Sequence, residues 1–242
     1  MSLLKIMYKM RYSFVKEVEI DDIIFPDKNL AIAIAIERKR FNNIREIKQL
    51  RLDNIEKLNL EGLQYLSNLS VLDIMNCEVI NSYPLTQIIN VNQLSLFSNK
   101  GIDYSLLTSL HNLDFLIIED SDLKDISFLK DLTQLESLYI CNNNIEDITP
   151  LKCLKNLKEL AVSENPILDC TPIGELENLE ELDLVGLNIT NIEFLLKLRK
   201  LKFLNLSKNN IVDLTTLKEL KSLETLFLED LGENEVSVLS NL

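Results

Sequence analysis

The sequence predicts an α/β solenoid in which short parallel strands are stacked side by side and joined by tight turns rather than long helices. Three observations predict it. Apolar residues recur with an unbroken period of 22 residues. Within each period two of them stand two apart, the spacing of one face of a strand, as at Leu182 and Leu184. Only five Gly and five Pro punctuate 242 residues, too few for many independent hairpins.

With Ile47 as position one, positions one, four and six read Ile47, Leu50, Leu52, then Leu69, Leu72, Ile74, then Val91, Leu94, Leu96. The series continues from Leu113, Leu135, Leu157, Leu179, Leu201 and Leu223, nine starts without insertion or deletion. Position 17 runs from Leu63 to Leu239 and position 20 from Leu66 to Leu242, all Leu or Ile. Position nine is Asn at Asn99, Asn143, Asn165 and Asn209, with Cys77 and Ser121 in the same place. An Asn there can satisfy backbone groups left free where the strand ends.

The spacing LxxLxLxxN resembles the leucine-rich repeat in its 22-residue form. That resemblance implies a right-handed horseshoe with a parallel concave β-sheet and a convex side of turns and short 3₁₀ segments. One repeat cannot bury its leucines alone, so each end needs a cap. Residues 1–46 are read as an N-terminal segment and helical cap, 47–222 as eight repeats, and 223–242 as a degenerate ninth repeat serving as the C-terminal cap. In the first of these, Pro26-Asp27 starts a helix, Leu30, Ala33, Ile34 and Phe41 form its apolar stripe, and Asn42-Asn43 ends it. Upstream, Tyr8, Met10, Tyr12 and Phe14 alternate with Lys9, Arg11 and Ser13 in a strand-like pattern. In the last repeat, position nine is Leu231 and position 11 is Glu233, the irregularity expected of a terminal repeat. The rival reading of that end is a homodimer formed through it.

Cap and repeats together resemble the bacterial internalins. The cap match is Phe25, Pro26, Asp27, Leu30, Ala31, Ala33 and Ile34. The repeat match is Asn143, Ile145, Asp147, Ile148, Pro150, Leu151, Leu154 and Leu157. The resemblance implies a scaffold that grips a protein through its concave face. The same repeat class includes an intracellular regulatory subunit of a protein phosphatase. The chain as given shows no signal peptide, wall-sorting motif or immunoglobulin-like segment.

Composition narrows the function further. The net charge of -13 disfavours nucleic acid and favours a basic partner. No stretch is apolar for the ~18 residues of a membrane span. The compartment stays open: cytoplasmic if the chain is complete, cell surface or secreted if a signal peptide has been removed. The four cysteines match no zinc spacing, and the phase keeps them too far apart to bridge. Cys77 fills the Asn site, Cys141 faces outward on the concave side, and Cys170 falls in the core phase of Ile126, Ile148 and Ile192. His111 sits late in its repeat, in a turn, without a partner for base catalysis. No phosphate loop, nucleophile elbow or HExxH helix occurs. No catalytic residue, cofactor or metal is expected, and the chain is not read as an enzyme.

Positions three, five, seven and eight face outward on the concave side. Ten acids stand there (Asp53, Asp73, Glu119, Asp120, Glu159, Glu164, Glu181, Asp183, Glu229 and Asp230) against Arg51 and Lys208, more lopsided than 38 to 25 in the whole chain. The apolar members are Val71, Met75, Phe97, Phe115, Ile117 and Tyr139, read as one diagonal band, and a second group, Phe203 and Phe227. Aromatic residues bury large area and anchor partners. The expected binding set is therefore these apolar residues with Glu159, Glu181 and Asp183. The expected function is a non-catalytic protein-binding scaffold. The alternatives are a structural or oligomer-forming module of a larger chain and a regulatory subunit of an intracellular enzyme such as a phosphatase.

The phase makes a direct prediction. Leu160→Asp or Leu182→Asp should disrupt the fold, because an unpaired buried carboxylate costs several kcal/mol, on the order of a domain's whole stability. Glu159→Ala or Glu181→Ala should change it by about 0.5 kcal/mol or less. Denaturant melts that show equal loss in both pairs would overturn the phase.

Overall fold

A computed structural model describes residues 18–231 of the chain. The strand-like pattern at Tyr8–Phe14 and positions 11 to 20 of the last repeat lie outside the described residues. The chain divides into two compact units, residues 1–113 and 114–242.

The first unit opens with an antiparallel hairpin of β1 (Val18–Ile20) and β2 (Ile23–Phe25). Its turn is Asp21-Asp22, both left-handed (φ 50° and 64°), which suits a two-residue hairpin. Helix α1 (Lys28–Arg38) follows. Asp27 caps it, its Oδ1 accepting from the amides of Asn29 and Leu30, while its Oδ2 accepts from Asn59 N of the first repeat at 2.9 Å. One carboxylate thus starts the helix and ties it to the repeats. Asp21 does the same for the other end, accepting from Arg38 Nε and from Ile44 N, each at 2.8 Å. The Arg38 guanidinium beside it holds its carboxyl below the usual range.

The helix differs from its sequence reading in two respects. It ends at Arg38, capped at Lys39, and Asn43 instead caps a 3₁₀ segment, Ile44–Glu46, by accepting from Arg45 N. Its buried residues are Leu30, Ala31, Ile32 and Ile34, whereas Ala33 and Phe41 are only half-buried. The apolar run LAIAIAI carries no polar residue to mark which face turns inward, so packing chose the face.

Three parallel strands follow in this unit: β3 (Gln49–Asp53), β5 (Val71–Met75) and β7 (Gln93–Phe97), with Leu50, Leu72 and Leu94 in register. A minor parallel pair, β4 (Leu58–Asn59) and β6 (Val79–Asn81), forms on the return path. The second unit adds six parallel strands: β8 (Phe115–Glu119), β9 (Ser137–Tyr139), β10 (Glu159–Ala161), β11 (Glu181–Asp183), β12 (Phe203–Asn205) and β13 (Thr225–Phe227). Every return carries a short 3₁₀ segment and none an α-helix among the described residues. Both units are leucine-rich repeat solenoid.

Burial follows the phase. From Ile47 to Leu206, positions one, four and six are at most 2 % exposed. Only Leu223, Leu226 and Leu228, in the last described repeat, are half-buried. Three polar devices recur around this core. Position eight is left-handed in every repeat: Asn54, Asn76, Ser98, Asp120, Asn142, Glu164, Gly186, Lys208 and Asp230, φ between 50° and 69°. The buried Asn then closes the corner. Asn143 Oδ1 accepts from Ser121 N and Leu123 N, and its Nδ2 donates to the carbonyls of Ile118, Ile140 and Cys141. Asn209 repeats the set at Leu187, Ile189, Leu184, Leu206 and Ser207. Position 13 provides the third device: Asp125, Asp147, Asp169, Asn191 and Asp213 each accept the amide two residues on, starting the 3₁₀ turn.

Gly101 stands at position 11, where six other repeats carry Val, Leu or Ile. Its φ is +77°, and a Cβ there would lie 2.1 Å from the Val79 carbonyl oxygen. Gly101→Ala should therefore cost about 3 kcal/mol or more, from backbone overlap and left-handed strain together. Ser98→Gly, at a left-handed corner, should stabilise by about 0.5–1 kcal/mol. Equilibrium urea melts of the two variants check both signs.

Candidate functional site

A parallel sheet shows alternate side chains on opposite faces. In this protein one face is the leucine core and the other carries positions three, five and seven. In the first unit the outer face reads Gln49, Arg51, Asp53 on β3, Val71, Asp73, Met75 on β5, and Gln93, Ser95, Phe97 on β7. Met75 and Phe97 are register partners and both half-buried. Val71 lies at the other end of β5, with Asp73 between it and Met75. Burial pushes the Asp73 carboxyl up, partly offset by Arg51.

The outer face of the second unit is richer. Phe115 and Tyr139 pack with ring centroids 5.6 Å apart at 45°, and Ile117 is the register partner of Tyr139. Tyr139 donates its hydroxyl to Glu159 Oε2. Burial first, and then this bond to a carboxylate, raise the Tyr139 phenol far above its ordinary value. Next to it, Ala161 and Ser163 are 8 % and 7 % exposed and form a low floor. Glu159 and Glu181 are register partners on β10 and β11, as are Ala161 and Asp183. Asp183 accepts from Ser163 Oγ and from Val185 N. On the far side of the carboxylates, Phe203 and Phe227 pack at 5.6 Å and 51°. Phe203 is half-buried, and Phe227 is 42 % exposed.

The sequence reading named most of these residues, as one diagonal band and a second group, Phe203 and Phe227, with an acidic rim. Within the second unit the order along the face is an aromatic pair, then carboxylates beside a floor of small residues, then a second aromatic pair. The floor residues Ala161 and Ser163 were missed. The available signal was that positions five and seven of this repeat are the small residues Ala and Ser. Inferring a depression from it requires the register.

The thiols are not set for chemistry. Cys141 is half-buried, and burial with the Glu119 carboxylate beside it pushes its thiol up to about 12. Burial pushes Glu119 up in turn. Cys77 sits at the Asn position, its Sγ donating to Met75 O and its amide N–H donating to Asn99 Oδ1. Cys170 differs from its reading as core. It is half-buried, whereas Ile126, Ile148 and Ile192 in the same phase are 1 % exposed. It lines an open groove of about 320 Å³ between residues 167–171 and 187–194. Its thiol too is pushed up to about 12, by burial and then by Asp169. The groove's Asp169 and Asn191 are occupied in capping the amides of Thr171 and Glu193. His111 is exposed in a turn. Among the described residues no group of His, Cys, Asp and Glu could hold a metal, and no helix is long and apolar enough to cross a membrane.

The architecture defines a leucine-rich repeat protein. The family described as leucine-rich repeats (two copies) matches residues 111–153 and 133–177. Solved structures similar to it include internalins. Internalin C2 of Listeria monocytogenes aligns with TM-score 0.79 at 28 % identity, over 84 % of this chain and 94 % of that one. A second Listeria monocytogenes internalin, InlF, aligns with TM-score 0.58 at 25 % identity, over 84 % and 76 %. A plant peptide hormone receptor in complex with RGF2 shares the fold at TM-score 0.62 and 22 % identity, over 76 % of this chain and 32 % of that one. Among curated proteins compared by sequence, none matches.

The thiol environments yield a kinetic prediction. With iodoacetamide at about pH 8, exposed Cys153 should be alkylated first, and Cys141 and Cys170 more than about tenfold later, because the thiolate is the nucleophile. Site-resolved mass spectrometry reads the rates. Equal labelling of Cys141 and Cys153 would contradict the environment described for Cys141.

Proposed function

We propose that this chain is a non-catalytic scaffold that recognises another protein through the outer face of its sheet. The observation that carries the reading is the half-burial of aromatic side chains on that face, in a protein whose strand leucines from Leu50 to Leu206 are almost completely buried. Strands held in register present these rings on a rigid base, so little conformational entropy is lost when they are covered. Aromatic residues that are preorganised and partly exposed are the usual anchors of protein interfaces. The neighbours support the reading: one of them is a receptor solved with its peptide hormone. The binding set is Val71, Met75 and Phe97 in the first unit, and Phe115, Ile117, Tyr139, Glu159, Glu181, Asp183, Phe203 and Phe227 in the second.

The test has two stages. A photo-crosslinking residue placed at Phe97, Phe115 or Tyr139 should trap a discrete partner, and the same residue at His111 or Glu146 should not. With that partner purified, the triple variant Phe97→Ala, Phe115→Ala, Tyr139→Ala should keep its melting temperature and lose about 1 kcal/mol of binding or more per anchor by calorimetry. A large fall in stability would place these rings in a hidden core, and unchanged affinity would remove them from the interface.

A further inference from the structure

The outer face of the second unit carries three carboxylates that no cation among the described residues contacts at ion-pair distance. Glu159 and Glu181 are register partners on adjacent parallel strands, about 4.8 Å apart at the backbone. Asp183 follows two residues after Glu181 on the same face. Among the described residues none of the three forms an ion pair. Glu159 accepts only from Tyr139, and Asp183 from Ser163, Val185 and Asn205. Lysines stand close by, but they are committed elsewhere: Lys158 binds Glu136 at 2.6 Å and Lys202 binds Glu180 at 2.5 Å. The neighbouring row of acids is thus neutralised repeat by repeat, and the row on the face is not. Like charges directly opposite one another across a sheet are destabilising.

The surroundings define the cation that would answer them. Ala161 and Ser163 form a low floor beside the carboxylates. The Phe115–Tyr139 pair bounds the cluster on one side and the Phe203–Phe227 pair on the other. A planar guanidinium makes forked hydrogen bonds to carboxylates and stacks on aromatic faces, whereas a compact, strongly hydrated ammonium does neither well. We propose that this face takes an arginine side chain from an extended segment of the partner protein, seated over β10 and β11 between the two aromatic pairs. The proposal rests on the sheet face being the binding surface and adds the chemistry of what it binds.

The probe is a fluorescein-labelled peptide of alternating arginine and serine, with its lysine and glutamate counterparts, titrated by anisotropy against the full chain at about 0.15 M salt. The arginine peptide should bind about fivefold or more tighter than the lysine peptide, and the glutamate peptide should not bind. Glu159→Gln, Glu181→Gln, Asp183→Asn together should weaken the arginine peptide about tenfold or more. Asp131→Asn, Glu146→Gln, Glu193→Gln removes the same charge from the return side and should change the affinity less than about twofold. Glu181→Gln alone, which breaks no hydrogen bond, should weaken binding while leaving the melting temperature equal or higher. A purely structural role for Glu181 would instead lower it. Equal weakening by the two triple variants, no preference for arginine over lysine, or no binding would overturn the proposal. If the crosslinked partner is lost with the aromatic triple but keeps its affinity with the carboxylate triple, the binding face stands and the arginine falls. If both triples leave that partner unaffected, both readings fall.

Discussion

The structure depends on one recurring corner. After each strand the backbone turns through a left-handed residue at position eight, and in four repeats a buried Asn at position nine takes up the amides and carbonyls that the turn strands. Without it, these corners would bury several unpaired backbone groups, at about 1–3 kcal/mol apiece. The Asn reaches back to the preceding repeat as well as its own, so it sets the spacing between neighbours while it closes the bend. A repeat protein is stabilised by intrinsic and nearest-neighbour terms, and this side chain contributes to both.

The corner explains some otherwise odd residue choices. Left-handed backbone favours Gly, Asn and Asp, and six of the nine corners are of these types. Glu164 and Lys208 are not, yet their side chains pair at 3.3 Å across the intervening repeat. That repeat has Gly186 at its corner, and a Cβ there would approach the Glu164 carboxylate to 2.8 Å. The glycine leaves room for the pair above it. As an exposed pair it contributes little to stability.

A face freed from core duty is the functional consequence. The leucines hold the sheet from behind, and the turn devices at positions nine and 13 satisfy its ends. Positions three, five and seven are therefore outside the core, although some of them, such as Glu159 and Asp183, make hydrogen bonds within the face. What evolves there is decided by a partner, or by nothing. In the second unit Glu136 and Glu180 are paired with lysines, whereas Glu159, Glu181 and Asp183 form no ion pair among the described residues.

The sequence by itself determined the period, the strand phase, the identity of nearly every buried leucine and the side each face residue would take. It could do so because a solenoid makes long-range contacts regular: the strand residues of adjacent repeats pair with those 22 positions away. Tertiary structure alone decided what has no period. It chose which face of the uniformly apolar helix α1 turns inward, and it ended that helix at Arg38. It left Cys170 half-open beside a groove where its phase-mates are closed. It also ordered the outer face of the second unit as aromatic pair, carboxylates, aromatic pair. That order depends on side-chain packing between neighbouring strands, where Tyr139 reaches Glu159 and Phe203 meets Phe227, and a repeat pattern specifies positions without specifying how side chains lean.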